Sequence, residues 1–121
     1  MTSGERRALI ERYKGVTVRI EIDRPIGYVH KKGEKTLTYP VNYGYIPGVI
    51  GGDGEELDVF LLGVDMPVRE YTGRIIGAVY RRDDDEDKLI MSSGTKEFAL
   101  DEVRRLLYFS EKYYDSDIVL F

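Results

Sequence analysis

Short apolar runs closed by glycine, proline or aspartate recur along this chain, and they restrict its fold more than any other feature. Residues 16–23 alternate apolar and polar side chains with a period of two, as a half-buried strand requires. The segment 26–38 indicates a hairpin or an irregular turn centred on Gly33. Three further runs are short, apolar and bounded by turn residues, which is typical of buried strands: 57–63, 74–80 and 88–91. Strands separated by about a dozen residues predict a mainly β protein.

Two segments at the ends of the chain have helical character instead. The first covers residues 3–14, where Thr2 and Glu5 have the spacing of a capping box and Gly15 follows as a stop. In the second, from Val103 to Tyr114, apolar and aromatic residues recur at helical spacing. We therefore predict a small closed β-barrel of about five strands with α additions, of which the carboxy-terminal helix packs over the barrel.

Composition limits the chemistry that the 121 residues can carry. The chain has no cysteine, which excludes disulfides, thiolate metal sites and cysteine nucleophiles, and a reducing cytoplasm is the expected location. Lys and Arg number 18 against 22 Asp and Glu, so the net charge of −4 offers no general positive field for nucleic acid. Charges interrupt the opening residues, and we expect no signal peptide and no membrane partner. Without a linker or repeat, residues 1–121 are expected to form one domain.

Two acidic clusters, each between a strand and a turn, are the candidates for chemistry. The first consists of Asp53, Glu55, Glu56 and Asp58 in GGDGEELDV, and the second is the acidic run 83–87. Carboxylates at this density repel one another, so a fold that gathers both clusters needs cations to neutralise them. Carboxylate oxygens select hard ions such as magnesium, manganese or calcium.

Each acidic cluster also has a simpler interpretation. Acidic runs such as 83–87 are usually solvated turns. The first cluster lies among glycines directly ahead of an apolar run, which ties its carboxylates to a rigid strand. It is not an EF-hand loop, because the expected glycine and the closing glutamate are absent. From the residues alone, metal binding and simple solvation both stay open.

The stretch YPVNYGYIPG at residues 39–48, followed by GDGEELDVFLLG at residues 52–63, resembles the signature of the family I soluble inorganic pyrophosphatases. In that family a tyrosine-rich motif of the form YPxNYGYIPxT leads into an acidic motif of the form DGDPxDV. The resemblance covers residues 16–91 and, more weakly, the final helix. It implies an OB-like five-stranded barrel, a magnesium cofactor and hydrolysis of pyrophosphate to two phosphates.

The resemblance implies a role for each matching acidic residue. Asp53 and Asp58 match metal ligands, and Glu55 matches the aspartate that accepts a proton from the attacking water. The second acidic cluster is expected to complete the metal site with two of its residues. Because the loop is shorter than in the family, the match leaves the choice between them open; we take Asp84 and Asp87.

The resemblance also implies which residues contact the phosphates. Lys88 matches a phosphate-facing lysine with a catalytic role. Tyr43 and Tyr113 match substrate-binding tyrosines. Glu21 matches an active-site glutamate on the first strand, and we group it with the substrate-binding residues. Tyr114 departs from the pattern, because the family has a substrate-binding lysine at that position.

A second departure concerns the segment between residues 23 and 40, which is too short to align with the family hairpin that carries two phosphate-binding cations. The local groups that could replace those cations are Arg24, His30, Lys31, Lys32 and Lys35. Of these, we assign Arg24 and Lys31 to the substrate. His30 is interpreted as a surface or phosphate contact and not as a metal ligand, since hard ions prefer oxygen donors.

The expected reaction is therefore attack of a metal-activated water on pyrophosphate, with Mg²⁺ or Mn²⁺ as the cofactor. Two alternatives stay open: hydrolysis of another phosphoanhydride, such as a nucleotide or short polyphosphate, and a catalytically weak metal- or ligand-binding OB-like module. A base-stacking platform of Tyr39, Tyr43 and Tyr45 is disfavoured, because the acidic residues that follow would repel a phosphodiester chain. No nucleic acid partner is expected, and a homo-oligomer is one expected assembly.

Overall fold

The computed structural model describes all 121 residues and contains two helices and eight strands. The elements follow one another as α1 (Ser3–Glu11), β1 (Thr17–Arg24), β2 (Val29–Lys32), β3 (Lys35–Thr38), β4 (Asn42–Ile50), β5 (Glu56–Leu62), β6 (Glu70–Arg81), β7 (Lys88–Ser92), α2 (Leu100–Glu111) and β8 (Ser116–Leu120). Neither helix has both the length and the apolar character that crossing a membrane requires.

Five of the strands close into a barrel. Strand β4 pairs with β1 and β5, β5 runs parallel to β7, and β7 pairs with β6. The ring closes where residues 70–74 of β6 pair with residues 17–21 of β1. The predicted mainly β class, with a closed, OB-like five-stranded barrel and two helices, is confirmed. Strands β2 and β3 form a separate hairpin that turns at Gly33, as the sequence indicated.

Two parts of the sheet were not predicted. Strand β8 pairs with residues 77–81 of β6. The first half of β6 pairs with β1, and β8 pairs with the second half. The helical spacing that we extended to Tyr114 stops at Glu111, which leaves room for this short strand.

Strand β4 lies in the tyrosine- and glycine-rich motif. A Cβ atom at Gly44 would lie 1.7 Å from the backbone oxygen of Glu21, so only glycine allows β4 to approach β1 this closely.

The apolar side chains form two clusters, one on each face of β5. Val59 and Leu61 point into the barrel, whereas Phe60 and Leu62 point outward against Val103 and Leu107 of α2 and their neighbours. Both faces of β5 are buried, which explains why its sequence is a continuous apolar run. The prediction that the last helix packs over the barrel is confirmed.

Helix α1 begins with the predicted capping box, in which the Thr2 hydroxyl accepts from the Glu5 N–H and the Glu5 carboxylate accepts from the Thr2 N–H. The helix docks through Ile10, which is 1% exposed within the barrel cluster. We expect Ile10→Val to lower the free energy of unfolding by about 1 kcal/mol, because one buried methyl group is lost. Urea denaturation measures this change; an unaltered midpoint would mean that this methyl group of Ile10 contributes no packing energy to the barrel.

Candidate active site

A cavity of about 340 Å³ opens at one end of the barrel, between the β2–β3 hairpin, the two acidic segments and the turn after α2. Its lining is mostly polar: Asp23, Arg24, His30, Lys31, Lys32, Lys35, Leu37, Tyr39, Tyr43, Asp53, Glu55, Asp58, Arg81, Glu86, Lys88, Ser110, Tyr113 and Tyr114. A larger cavity, of about 730 Å³, lies among Lys14, Arg74 and Phe121 and contains none of the predicted site residues. Chemistry and not volume therefore identifies the candidate site.

One wall of the cavity brings the two acidic clusters together. Asp58 lies on β5, Asp53 and Glu55 lie in the turn before it, and Glu86 comes from the segment before β7. The Asp53 carboxylate accepts from the Glu55 N–H at 3.0 Å, which fixes that turn. Burial raises the pKa of Asp53, and the negative charges of Glu86 and Asp58 raise it further. The carboxylates of the two acidic clusters therefore repel one another at this wall of the cavity.

Lys88 lies between the acidic segments with its ammonium group almost fully buried. Its Nζ donates to Asp58 Oδ2 at 3.1 Å and to the Tyr43 hydroxyl at 2.7 Å, and it lies 3.5 Å from Glu86 Oε2. A buried cation of this kind requires partners, and these three groups supply them. Lys88 is thereby fixed at the point where both acidic segments meet.

Tyr43 supports this arrangement from strand β4. Its ring packs against Phe60 and Tyr39 with centroid distances of 4.9 and 5.4 Å. Burial raises the pKa of Tyr43 well above its usual value, and the nearby Asp58 carboxylate raises it further. The phenol therefore stays protonated at neutral pH and can donate its proton while it accepts from Lys88.

Cations of β1 and the β2–β3 hairpin line the same cavity. Arg24 donates to the Tyr39 hydroxyl at 2.6 Å. Lys32 donates to the Tyr114 hydroxyl at 3.1 Å, so this hairpin lysine brings a cation to the position where the family pattern has a lysine and this chain has tyrosine. Burial lowers the pKa of His30, and the positive charges of Arg24 and Lys32 lower it further, which keeps the imidazole neutral at pH 7.

Eight of the predicted site residues line this cavity: Asp53, Glu55, Asp58, Lys88, Tyr43, Tyr113, Arg24 and Lys31. Glu21 does not, since its half-exposed carboxylate faces Arg19 at 2.7 Å on the barrel surface. The neighbouring Asp23 lines the cavity instead. A β-bulge between Ile22 and Arg24 adds one residue to β1 and ends the strict alternation that sequence periodicity assumes.

Asp84 and Asp87, the two residues that we chose within the second acidic cluster, also lie outside the cavity lining. Asp87 forms an ion pair with Arg6 and accepts from the Arg81 N–H at 2.9 Å. Asp84 accepts from the Arg81 guanidinium and from the Glu86 N–H. Both carboxylates are therefore occupied in holding the loop. Glu86 enters the cavity, and its position two residues before Lys88 was the available signal, because side chains two apart on an extended chain share a side.

The residues present fit a hard divalent cation by their chemistry. Asp53, Asp58 and Glu86 offer carboxylate oxygens in one cavity, and their mutual repulsion favours a bound positive charge. No three acidic or histidine side chains already stand close enough together to hold an ion. The ammonium of Lys88 takes the position between Asp58 and Glu86, where it neutralises both.

Sequence and structure comparisons identify relatives of this chain. The family model described as inorganic pyrophosphatase matches residues 8–115. An inorganic pyrophosphatase of Saccharolobus solfataricus is 40% identical over 60 residues, which cover 47% of this chain and 35% of that protein. One from Rickettsia prowazekii is 25% identical over 116 residues, covering 81% of this chain and 67% of that protein. The chain thus spans from about a third to two thirds of the length of these two curated relatives.

Solved structures agree on the fold. The inorganic pyrophosphatase of Neisseria gonorrhoeae superposes with a TM-score of 0.63 at 19% identity, covering 82% of this chain and 74% of its own. That of Ehrlichia chaffeensis gives a TM-score of 0.64 at 17% identity, covering 84% and 83%. Identity at this level establishes a common fold, and the family match supplies the relationship. Because the match extends over nearly the whole chain and includes both acidic clusters, this chain belongs to the inorganic pyrophosphatase family.

Proposed function

We propose that this chain hydrolyses inorganic pyrophosphate to two phosphates. The observation that carries the proposal is one cavity lined by groups of both charges: carboxylates around a buried lysine, together with cations of β1 and the β2–β3 hairpin. A volume of about 340 Å³ suits a small anion. The curated relatives carry the name inorganic pyrophosphatase, but this chain spans only part of their length, so the activity is proposed for it.

We assign the divalent cation, Mg²⁺ with Mn²⁺ as a substitute, to Asp53, Asp58 and Glu86. Glu86 takes the place of Asp84 and Asp87 in this assignment, because of the three only Glu86 lines the cavity. A divalent cation bound there supplies positive charge against the phosphate oxygens and lowers the pKa of water. Because Lys88 contacts both Asp58 and Glu86, its ammonium can pass from these carboxylates to a phosphate oxygen when a metal enters.

The reacting groups follow from the positions of the side chains. Glu55 lines the cavity beside Asp53 and accepts a proton from the attacking water at its carboxylate. The water oxygen forms a new bond to phosphorus as the bridging P–O bond breaks, and the bridging electron pair leaves with the second phosphate. Lys88 donates to the oxygens that gain charge, and Tyr43, kept protonated by burial, holds Lys88 in place.

We assign the substrate anion to the cations of this cavity. Arg24, Lys31 and Lys32 line it together with the carboxylates, and the Tyr113 hydroxyl can serve there as a hydrogen-bond donor. Lys32 extends the set that sequence assigned, because Tyr114 places its ammonium at the cavity. Lys31 and Lys32 thus place two cations of one short hairpin in the same cavity.

Lys32→Gln is expected to raise KM for pyrophosphate about tenfold while kcat changes less, since the lost cation contacts the bound anion and not the attacking water. Steady-state kinetics at saturating metal measure both constants. Lys14→Gln is the matched control, because Lys14 is exposed beside the other cavity. Equal KM values for the two variants would remove Lys32 from the substrate site.

Phosphate release with pyrophosphate as the sole substrate tests the proposed activity. We expect release that depends on Mg²⁺ or Mn²⁺ and stops with excess chelator. Release from a nucleoside triphosphate or a short polyphosphate, but not from pyrophosphate, would replace the substrate. No release from any of these at neutral and alkaline pH would leave a metal- or ligand-binding module.

Three further expectations belong to this proposal. We propose that residues 1–121 act as one domain and that the protein is cytoplasmic, where a chain without cysteine loses nothing to the reducing conditions. A homo-oligomer is also proposed, and light scattering of the purified chain tests it directly. A mass equal to one chain would overturn that last expectation.

A further inference from the structure

One residue of helix α1 reaches the second acidic cluster from behind the cavity. Arg6 donates from Nε to Asp87 Oδ2 at 2.9 Å and from Nη2 to Asp87 Oδ1 at 2.8 Å. The same Nη2 donates to the backbone oxygens of Arg81 and Asp84 at 3.1 and 3.0 Å. Its side chain is 16% exposed and that of Asp87 is 8% exposed, so this is a largely desolvated, two-pronged ion pair.

The stem of Arg6 also touches the first acidic cluster. A Cβ atom at Gly52 would lie 2.7 Å from Arg6 Cγ and 3.1 Å from the backbone oxygen of Asp85. Gly52 directly precedes Asp53, so the Arg6 side chain lies against the turn that carries one set of carboxylates while its guanidinium binds the loop that carries the other. Arg6 therefore joins the two acidic segments at the back of the cavity.

The bonds of Arg6 and Asp87 fix the loop that carries Glu86. Asp87, fixed by Arg6, also accepts from the Arg81 N–H at 2.9 Å, which anchors the end of β6. Asp84 accepts from the Glu86 N–H at 2.8 Å and closes the loop on itself. With Asp84 and Asp87 bound inside the loop, Glu86 is the acidic residue of this cluster that lines the cavity.

We propose that Arg6 is a positioning residue that holds the two acidic segments in register and thereby sets the affinity of the cavity for a divalent cation. The proposal rests on the metal site of the proposed function. It adds a residue outside the family match, which begins at residue 8. Helix α1 would then contribute to metal binding as well as to the packing of the barrel.

Calorimetric titration of the full chain with Mn²⁺, without substrate, tests the proposal. We expect Arg6→Gln to weaken Mn²⁺ binding about tenfold, as removal of outer-shell partners does at other metal sites. Arg6→Lys keeps the charge without the two-pronged geometry and is expected to fall between Arg6→Gln and the unaltered chain. Arg12→Gln is the matched control, since Arg12 is an exposed arginine at the end of the same helix. Its affinity is expected to stay unchanged.

A double-mutant cycle separates positioning from direct ligation by Asp87. If Asp87 acts only through Arg6, then Asp87→Asn and the double variant weaken Mn²⁺ binding as much as Arg6→Gln alone. Additive losses would make Asp87 an independent ligand and overturn the proposed division of roles. Thermal unfolding and circular dichroism select folded variants, and Arg6→Lys decides the case if Arg6→Gln does not fold.

The two proposals fail in different ways. Equal Mn²⁺ affinities for Arg6→Gln and Arg12→Gln would overturn the role of Arg6 while phosphate release by the unaltered chain stood. Weaker binding in Arg6→Gln, in a chain that releases no phosphate from pyrophosphate, would uphold the role of Arg6 and end the proposed reaction. An unaltered chain that binds no Mn²⁺ would end both.

Discussion

Asp58→Asn is expected to lower the rate of phosphate release from pyrophosphate about a thousandfold at saturating magnesium. Asparagine keeps the shape of the side chain but removes the negative charge that faces both the proposed cation and Lys88 Nζ, 3.1 Å away. Lys88 then keeps only Glu86 as a charged partner, and its ammonium moves out of register with the anion. Single-turnover kinetics distinguish loss of the chemical step from slow substrate binding.

Asp65→Asn provides the control for this experiment, because Asp65 is exposed in the loop after β5, outside the candidate site. The control is expected to retain the activity of the unaltered chain, and both variants are expected to show the same far-ultraviolet circular dichroism. If Asp58→Asn turned over as fast as Asp65→Asn, the acidic wall would not be the active site, and the roles of Asp53, Glu55 and Glu86 would fall with it.

Arg81→Met is expected to lower the free energy of unfolding by about 3 to 5 kcal/mol, because it leaves the Glu111 carboxylate buried without its partner. Arg81 donates to both oxygens of Glu111 at 2.9 and 2.8 Å, and the two side chains are only 2% and 5% exposed. Ser110 adds a single bond to the same carboxylate at 3.2 Å, which does not replace a guanidinium. Urea denaturation measures the loss.

Two companion variants make this result specific. The double variant Arg81→Met with Glu111→Leu removes both charges and is expected to recover most of the loss, since two apolar side chains can fill the space of a buried ion pair. Arg82→Met removes the neighbouring arginine, whose ion pairs with Asp115 and Asp117 are exposed, and little change is expected there. Equal losses from Arg81→Met and Arg82→Met would mean that burial does not strengthen the internal pair.

The parts of the fold that sequence predicted are those set by local periodicity. The alternation in residues 16–23, the apolar run of β5 and the capping box of α1 each depend on neighbours along the chain. Strand β8 escaped prediction because its pairing edge belongs to β6, whose first half turns to β1 and whose second half remains open. A pairing between residues about 40 positions apart produces no recognisable pattern in a strand of five residues.

In the candidate site, too, local features were predicted from sequence and features that depend on distant contacts were not. The acidic motif before β5 was identified from its residues, because spacing in a tight turn restricts where carboxylates point. In the second cluster, five acidic residues stand in a row, and the spacing from Lys88 was the one local signal that favoured Glu86. The ion pairs of Arg6 and Arg81 with other members of this row join residues from different elements, and no local pattern predicts them. Asp23 was missed for another reason: the β-bulge of β1 changes which face its side chain joins, and a bulge has no reliable sequence pattern.

The ammonium of Lys88, held between Asp58 and Glu86, affects how this protein folds in the absence of metal. Like charges gathered in a cavity oppose folding, and many small metalloproteins stay unfolded until an ion arrives. Here the chain carries its own counterion on a strand of the barrel. Folding is therefore expected to proceed in the absence of divalent ions, because Lys88 already neutralises the two carboxylates.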